Sequence, residues 1–152
     1  MDIAEFLKPE CIATGVRASS KRRVLELLAE LLAKGEQGLT TPQIFEGLLT
    51  RERLGGTGLG KGIALPHSRM KGSQRVVGAF LQLTNGISFD AIDNAKVDLF
   101  FALVVPDQAT DEHLRILAHL AHLFSDPDLR QRLREAHGAN AIHEIITTWN
   151  PE

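Results

Sequence analysis

Between Arg51 and His67 the chain reads Arg-Glu-Arg-Leu-Gly-Gly-Thr-Gly-Leu-Gly-Lys-Gly-Ile-Ala-Leu-Pro-His, with five glycines in the eight positions 55–62. Glycine adopts backbone conformations that other residues resist, at an entropic cost when it is fixed. So dense a cluster needs a reason, and close approach of the backbone to an anion is one candidate.

Two nucleotide motifs are tested first. Gly55-x-x-x-x-Gly60-Lys61 matches most of a P-loop, but Gly62 stands where the magnesium-binding hydroxyl belongs. The context is also inverted, because a P-loop joins a strand to a following helix, and here a helix precedes and a strand follows. Gly56-x-Gly58-x-Gly60 is not G-x-G-x-x-G and has no dinucleotide-fold context. Both readings are rejected. A phosphoryl reading survives, in which the glycines shape a loop whose N–H groups, together with arginines, face a phosphoryl group. His67 follows a short apolar run and Pro66, which fixes φ and biases Leu65 towards extended geometry. A neutral imidazole held at a strand end can attack phosphorus through one nitrogen. The plainer alternative is a flexible surface loop followed by an ordinary surface histidine.

The surrounding pattern predicts the elements. Residues 2–18 read as a lead-in, with Pro9 limiting any first helix and Ile12–Thr14 a short extended piece. Apolar residues at three- and four-residue spacing predict a helix over 21–34, capped by Ser19 or Ser20 and stopped by Gly35. Thr41-Pro42 starts a second helix that ends between Arg51 and Gly55, placing Arg51 and Arg53 where positive charge suits the helix dipole. Strands are predicted at 63–65, 76–83 and 97–105, with Asn85-Gly86 a turn. Further helices are predicted over 111–124, 127–137 and 141–148. Interspersed strands and helices imply an α/β fold with a single mixed β-sheet of about five strands and helices packed on both faces.

On a wheel at about 100° per residue, residues 111–124 present one apolar face that includes Leu114, Ile116, Leu117, Leu120, Ala121, Leu123 and Phe124. His113 falls near its middle, and His119 and His122 fall on the opposite side. An inward histidine must find a hydrogen-bond partner or water. It is either a core-edge histidine bonded to a carbonyl or a ring at the floor of a site beside a helix N-terminus. His119 and His122 have the spacing to share a metal, but no third ligand lies close in sequence, and an exposed polar pair is the simpler reading.

Composition narrows the function classes. The formal net charge of −2 offers no electrostatic reason for nucleic-acid binding. Cys11 is the only cysteine, which excludes an internal disulfide and fits a reducing compartment. The longest apolar run, 99–105, is far shorter than the ~20 residues of a membrane span. The N-terminus lacks the pattern of a secretory signal. A cytoplasmic protein with no membrane insertion is expected.

The run Arg51-Glu52…Gly55–His67 resembles the active-site signature of IIA domains of the fructose/mannitol type (EIIA type-2) from bacterial phosphoenolpyruvate-dependent phosphotransferase systems. Phe89–Asp93, Val97–Pro106 and His113-Leu114…Leu117…Leu120 extend the resemblance over nearly the whole chain. It implies one IIA domain over residues 1–152, free-standing, without IIB or IIC. It implies that His67 accepts the phosphoryl group on its tele nitrogen from an HPr-like phosphocarrier, with His113 as second active-site histidine and Arg51 as phosphoryl stabiliser. No cofactor, nucleotide or metal is implied. Thr57, Gly58 and Gly60 are candidates for the phosphate-contacting loop. Many members carry a serine where this chain has Gly56. The start Asp2–Leu7 and the run Gly58–His67 look most like the nitrogen-regulatory branch (IIA-Ntr, with an NPr-type donor), which implies a phosphoryl relay that regulates partner proteins by its phosphorylation state and does not turn over a small molecule. The alternatives are a sugar-transport IIA passing the group to a IIB domain and, from another class, a metal-dependent hydrolase using His119 and His122.

Overall fold

A computed structural model describes residues 2–36 and 38–151. After a 3-10 turn at Ile3–Glu5, the order is β1 (Leu7–Val16), α1 (Lys21–Gly35), α2 (Thr41–Leu54), β2 (Gly58–Gly60), β3 (Ile63–Ala64) and β4 (His67–Met70). Then follow β5 (Val77–Ile87), β6 (Val97–Pro106), α3 (Thr110–Phe124), α4 (Pro127–Glu135) and α5 (Ala139–Thr147). The strands form one mixed sheet in the order β1-β5-β6-β3-β2, with β4 also paired to β6. The expected α/β class with helices on both faces holds, with six strands where about five are expected.

The layers follow from alternation along the two central strands. Phe100, Ala102 and Val104 of β6 and Ala79 and Leu81 of β5 pack beneath α1 and α2, against Leu25, Leu28 and Leu48. Leu99, Phe101 and Leu103, with Phe80, face Ile116, Leu120 and Phe124 of α3 and the apolar residues of α4 and α5. A strand buried on both sides reads as a continuous apolar run, which is why β6 is the plainest strand in the sequence.

Helix starts are chemically marked. The Ser20 hydroxyl accepts from the Arg23 N–H, and Thr40 with Gln43 forms a reciprocal capping box. The second cap is therefore Thr40, with Pro42 in the first turn. Gly35 is the last residue of α1 and not its stop; a Cβ there would lie 2.9 Å from Val77 Cγ1, so packing demands the glycine.

Four further expectations are corrected. Residues 7–16 form a full edge strand parallel to β5. Pro9 sits where four residues of β1 stand opposite one of β5, between Leu7↔Gly78 and Ile12↔Phe80, an irregularity that needs no ladder donor from it. Asn85-Gly86 is not a chain reversal: β5 runs through it in a register shift between Gln82 and Ile87. The segment after His67, with no apolar alternation to announce it, is β4. Leu114 is 60% exposed and Ala121 is exposed, so the apolar face of α3 is narrower than its wheel suggests.

β3 and β4 run along β6 in one register: Ala64 pairs with Phe100 and His67 with Leu103, three residues on along each strand. Between them lie Leu65 and Pro66, where the Pro66 carbonyl still accepts from the Leu103 N–H at 3.0 Å. Among the described residues no strand pairs with the other side of β4. α2 rides over it at Gly47, where a Cβ would lie 2.9 Å from both Ser68 Oγ and Met70 Sδ.

The glycine cluster is a hairpin. β2 and β3 are antiparallel, and the reversal at Lys61 and Gly62 has φ of 60° and 82°. Positive φ at both central residues is the two-residue hairpin geometry that favours glycine. Gly58 lies against the 89–93 loop, where a Cβ would come 2.7 Å from Ala91 Cα. Gly58→Val should therefore destabilise the fold by about 1–3 kcal/mol through overpacking, read as a lower urea midpoint at unchanged slope. A midpoint equal to that of the parent protein would refute the packing account.

Candidate functional site

The site lies at the open edge of β4, in a groove of about 1210 Å³ between α2, along its whole length, and the first turns of α3. Arg51, His67 and His113, the three principal residues read from the sequence, all line it.

His67 opens β4 directly after the Leu65-Pro66 gap and is 8% exposed. Its Nδ1 lies 2.6 Å from the Leu65 carbonyl oxygen. A carbonyl can only accept, so Nδ1 carries the proton and Nε2 keeps a free lone pair. Burial holds the ring below the ordinary histidine pKa of 6.5; the Arg51 charge lowers it further, while the Leu65 carbonyl and Glu52 oppose the shift. The result is a neutral imidazole with a nucleophilic Nε2.

His113 sits on the first turn of α3, 8% exposed, with its ring centroid 5.1 Å from that of His67 at 68° between planes. Burial first, then the positive charges of His67, Arg69 and Arg51, lowers its pKa to about 4. Its Nε2 is buried and has no hydrogen-bond partner among the described residues. No carbonyl meets this nitrogen among the described residues, and the ring lies on the groove lining.

Arg51 Nη1 donates to the Gly55 carbonyl at 2.8 Å, closing the end of α2 and holding the guanidinium at the groove. Next to it, Glu52 is buried and accepts from the Thr57 N–H at 3.0 Å and the Thr57 hydroxyl at 2.6 Å. Lys21 Nζ bridges Glu52 and Asp90 at 3.0 Å each, below α1's start. This network pins the end of α2 to the hairpin and to the 89–93 loop.

The structure does not bring Thr57, Gly58 and Gly60 to the groove. The Thr57 hydroxyl is spent on Glu52, Gly58 packs on Ala91, and a Cβ at Gly60 would meet Asp93. The glycines shape the hairpin behind the site and do not wall it. Gly56 belongs to the same region: a Cβ there would lie 3.2 Å from the Asp90 carbonyl and 3.7 Å from Glu52 Oε2. A serine at 56 would meet that network and not the groove.

Residues without a role in the sequence reading also gather here. Glu52 stands inside the quoted motif, but its burial is invisible without the fold. Arg69 and Lys71 line the groove, and Arg69 Nη1 bonds Thr110 Oγ1 at 3.2 Å. Reading 67–70 as a strand would have placed Arg69 on the same side as His67. Leu54, 80% exposed, and Leu114 supply an apolar rim. His119 and His122 instead meet the Trp149 ring, at centroid distances of 5.8 and 5.2 Å. Among the described residues no group of three or more His, Cys, Asp or Glu side chains is placed to hold a metal, and no helix is long and apolar enough to cross a membrane.

His67, buried at a sheet edge, and His113 thus meet ring to ring on the lining of one groove. The chain belongs to the family described as phosphoenolpyruvate-dependent sugar phosphotransferase system, EIIA 2, whose model matches residues 5–149. Within that family several relatives are named nitrogen regulatory proteins, and others at lower identity are named fructose-specific EIIA components. It is 44% identical over 148 residues to the nitrogen regulatory protein of Klebsiella oxytoca, covering 97% of this chain and 91% of that one. The nitrogen regulatory protein of Pseudomonas aeruginosa is 43% identical over 144 residues, covering 95% and 94%. The crystal structure of nitrogen regulatory protein IIA-Ntr from Neisseria meningitidis matches with a TM-score of 0.90 at 38% identity, covering 95% of this chain and 99% of that chain. The resemblance read from the sequence, including its nitrogen-regulatory branch, holds.

The lowered pKa values have a sign. Below pH 6.5 the unfolded chain binds protons at positions 67 and 113 that the folded chain refuses. This contribution to stability is complete above 6.5 and is lost as pH falls towards the folded value of about 4 at His113. Ring NMR titrations should place both residues below the ordinary histidine range, with His113 near 4. His113→Gln should flatten the loss of stability between those limits. A midpoint for His113 at or above 6.5 would contradict the electrostatic description.

Proposed function

We propose that this protein is a cytoplasmic regulatory phosphocarrier, one IIA domain that takes a phosphoryl group on His67 from an HPr-like (NPr-type) phosphocarrier and regulates partner proteins by its phosphorylation state. The observation that carries the reading is the bond from His67 Nδ1–H to the Leu65 carbonyl, 2.6 Å long, which leaves Nε2 as the reacting atom. The relatives named as nitrogen regulatory proteins support the regulatory side of the reading.

The chemistry needs no metal or nucleotide. As the Nε2 lone pair forms the new N–P bond, the donor's P–N bond breaks and its electron pair returns to the donor imidazole. Nδ1 keeps its proton on Leu65, so the phosphorylated ring is an imidazolium. In onward transfer it departs as a neutral imidazole, a good leaving group, and the relay is reversible. His113, neutral, with Nε2 unpartnered, is available to donate to a phosphoryl oxygen. Arg51 supplies a fixed charge and the charge-assisted hydrogen bonds that a guanidinium makes with phosphate. A phosphoryl group adds about −1.5 to −2 charges. Placed among Leu54, Leu114 and the basic groups of the groove, it weakens apolar docking and favours cationic partners.

Incubation with phosphoenolpyruvate, a cognate enzyme I and an HPr-type carrier should load one acid-labile, base-stable phosphate at His67. Loading that persists in His67→Ala would refute the assignment. Ready transfer onward to a fructose- or mannitol-type IIB domain would replace the regulatory reading with the sugar relay. His113→Ala should fold and slow transfer on the order of a hundredfold, as expected for loss of a charge-stabilising donor. Arg51→Ala should also slow transfer at a stability cost of only ~0.3–1 kcal/mol, the range for a helix-end charge. Unchanged rates in stopped-flow or radiolabel transfer assays would make either residue merely structural.

A further inference from the structure

β4 alternates, and the two sides of its side-chain row meet different helices. Ser68 and Met70 face Gly47 of α2. His67 meets His113, and Arg69 reaches Thr110, both on α3. Thr110 and His113 are three residues apart on α3, so they are neighbours on its surface. Two rungs therefore cross from β4 to α3 side by side: the two imidazoles at 5.1 Å between centroids, and Arg69 Nη1 to Thr110 Oγ1 at 3.2 Å.

Neither rung is saturated. His113 Nε2 has no partner among the described residues although it is buried. The arginine rung is exposed and ends on a neutral hydroxyl, which a guanidinium cannot engage in the two-pronged, charge-paired fashion it uses with phosphate. The α3 N-terminus has no side-chain cap of its own: Ala109 holds that position and makes no side-chain bond. The Arg69–Thr110 contact thus ties an uncapped first turn to the sheet.

From this geometry we infer that Arg69 is a further phosphoryl-binding residue and that it signals the phosphorylation state. With a phosphoryl group on His67 Nε2, Arg69 exchanges the Thr110 hydroxyl for a phosphoryl oxygen and releases the first turn of α3. The inference rests on the reading of His67 as phosphoryl acceptor. The exchange follows from competition for one donor. Thr110 offers a neutral acceptor in water-exposed surroundings; the phosphoryl group offers a doubly charged one from the neighbouring position on the same side of the strand. Leu114, 60% exposed, follows on the next turn, so the released segment carries part of the apolar rim.

The test loads the full-length protein with potassium phosphoramidate, which needs no donor protein. The P–N bond of the reagent breaks, ammonia leaves, and the phosphoryl group joins His67 Nε2, with the site confirmed by 31P NMR and mass spectrometry. Hydrogen exchange at the His113 and Leu114 amides, where bonding within α3 begins, is then measured with and without the phosphoryl group. In the parent protein, loading should speed exchange roughly tenfold, a local opening of low stability. Thr110→Val and Arg69→Ala should show the faster exchange already without loading. Arg69→Ala should also shorten the phosphohistidine half-life roughly fivefold, in line with loss of one charge-assisted hydrogen bond. Arg69→Lys should restore most of that half-life, since it restores the charge.

Exchange in the parent protein that ignores loading, or an Arg69→Ala half-life equal to the parent's, would overturn the inference while leaving the carrier reading intact. Loading by phosphoramidate with the expected exchange, but none from an HPr-type donor, would overturn the carrier reading and keep the inference. Failure of both reagents to load His67 would overturn both.

Discussion

The site depends on one carbonyl that the sheet does not use. Pro66 removes a backbone donor between β3 and β4, yet the register along β6 continues across the gap. Within that interruption the Leu65 carbonyl turns to His67 Nδ1 at 2.6 Å. That contact selects the tautomer, orients the ring and leaves Nε2 directed outward. Continuity of the register on either side makes the interruption a rigid one: β3 and β4 are both fastened to the most deeply buried strand of the sheet.

Other elements bring complementary groups to that edge. α2 ends beside it, and the buried Glu52, bonded to Thr57 and Lys21, ties that end to the hairpin and to the 89–93 loop. Removing one partner from a buried charge pair generally costs more than the pair itself contributes, so the network fixes the position of Arg51 more firmly than a surface bridge would. α3 approaches from the opposite face and brings His113. The two faces of the sheet are thus connected functionally only at the open edge, where neither layer covers β4.

The larger features were legible in the sequence because burial writes periodicity into it. β6 is an unbroken apolar run, α1 repeats at three and four, and His113 stood out because a polar ring on an apolar face calls for an explanation. Arg51 and His67 were legible through their motif. What escaped was set by long-range contact. Glycines that suggest an anion cradle answer instead to distant residues, Gly58 to Ala91, Gly60 to Asp93 and Gly62 to Arg134, each pair 33 or more positions apart along the chain. Residues 67–70 carry no alternation of their own because the strand's identity comes from pairing with β6, and with that strand unseen Arg69 had no face. Pro9 and Asn85-Gly86 carry the local signals of breakers, but register shifts within β1 and β5 absorb both.

Gly47 has a consequence for how such a site can vary. Its missing Cβ lets α2 settle onto Ser68 and Met70, where any side chain would press to within 2.9 Å. The helix that carries Arg51 is thereby levelled against the strand that carries His67 by the absence of one methyl group. A single methyl at that position acts as a shim. It would lift one jaw of the groove without touching Arg51 or His67, so the reach of one towards the other is adjustable from a position that contacts neither.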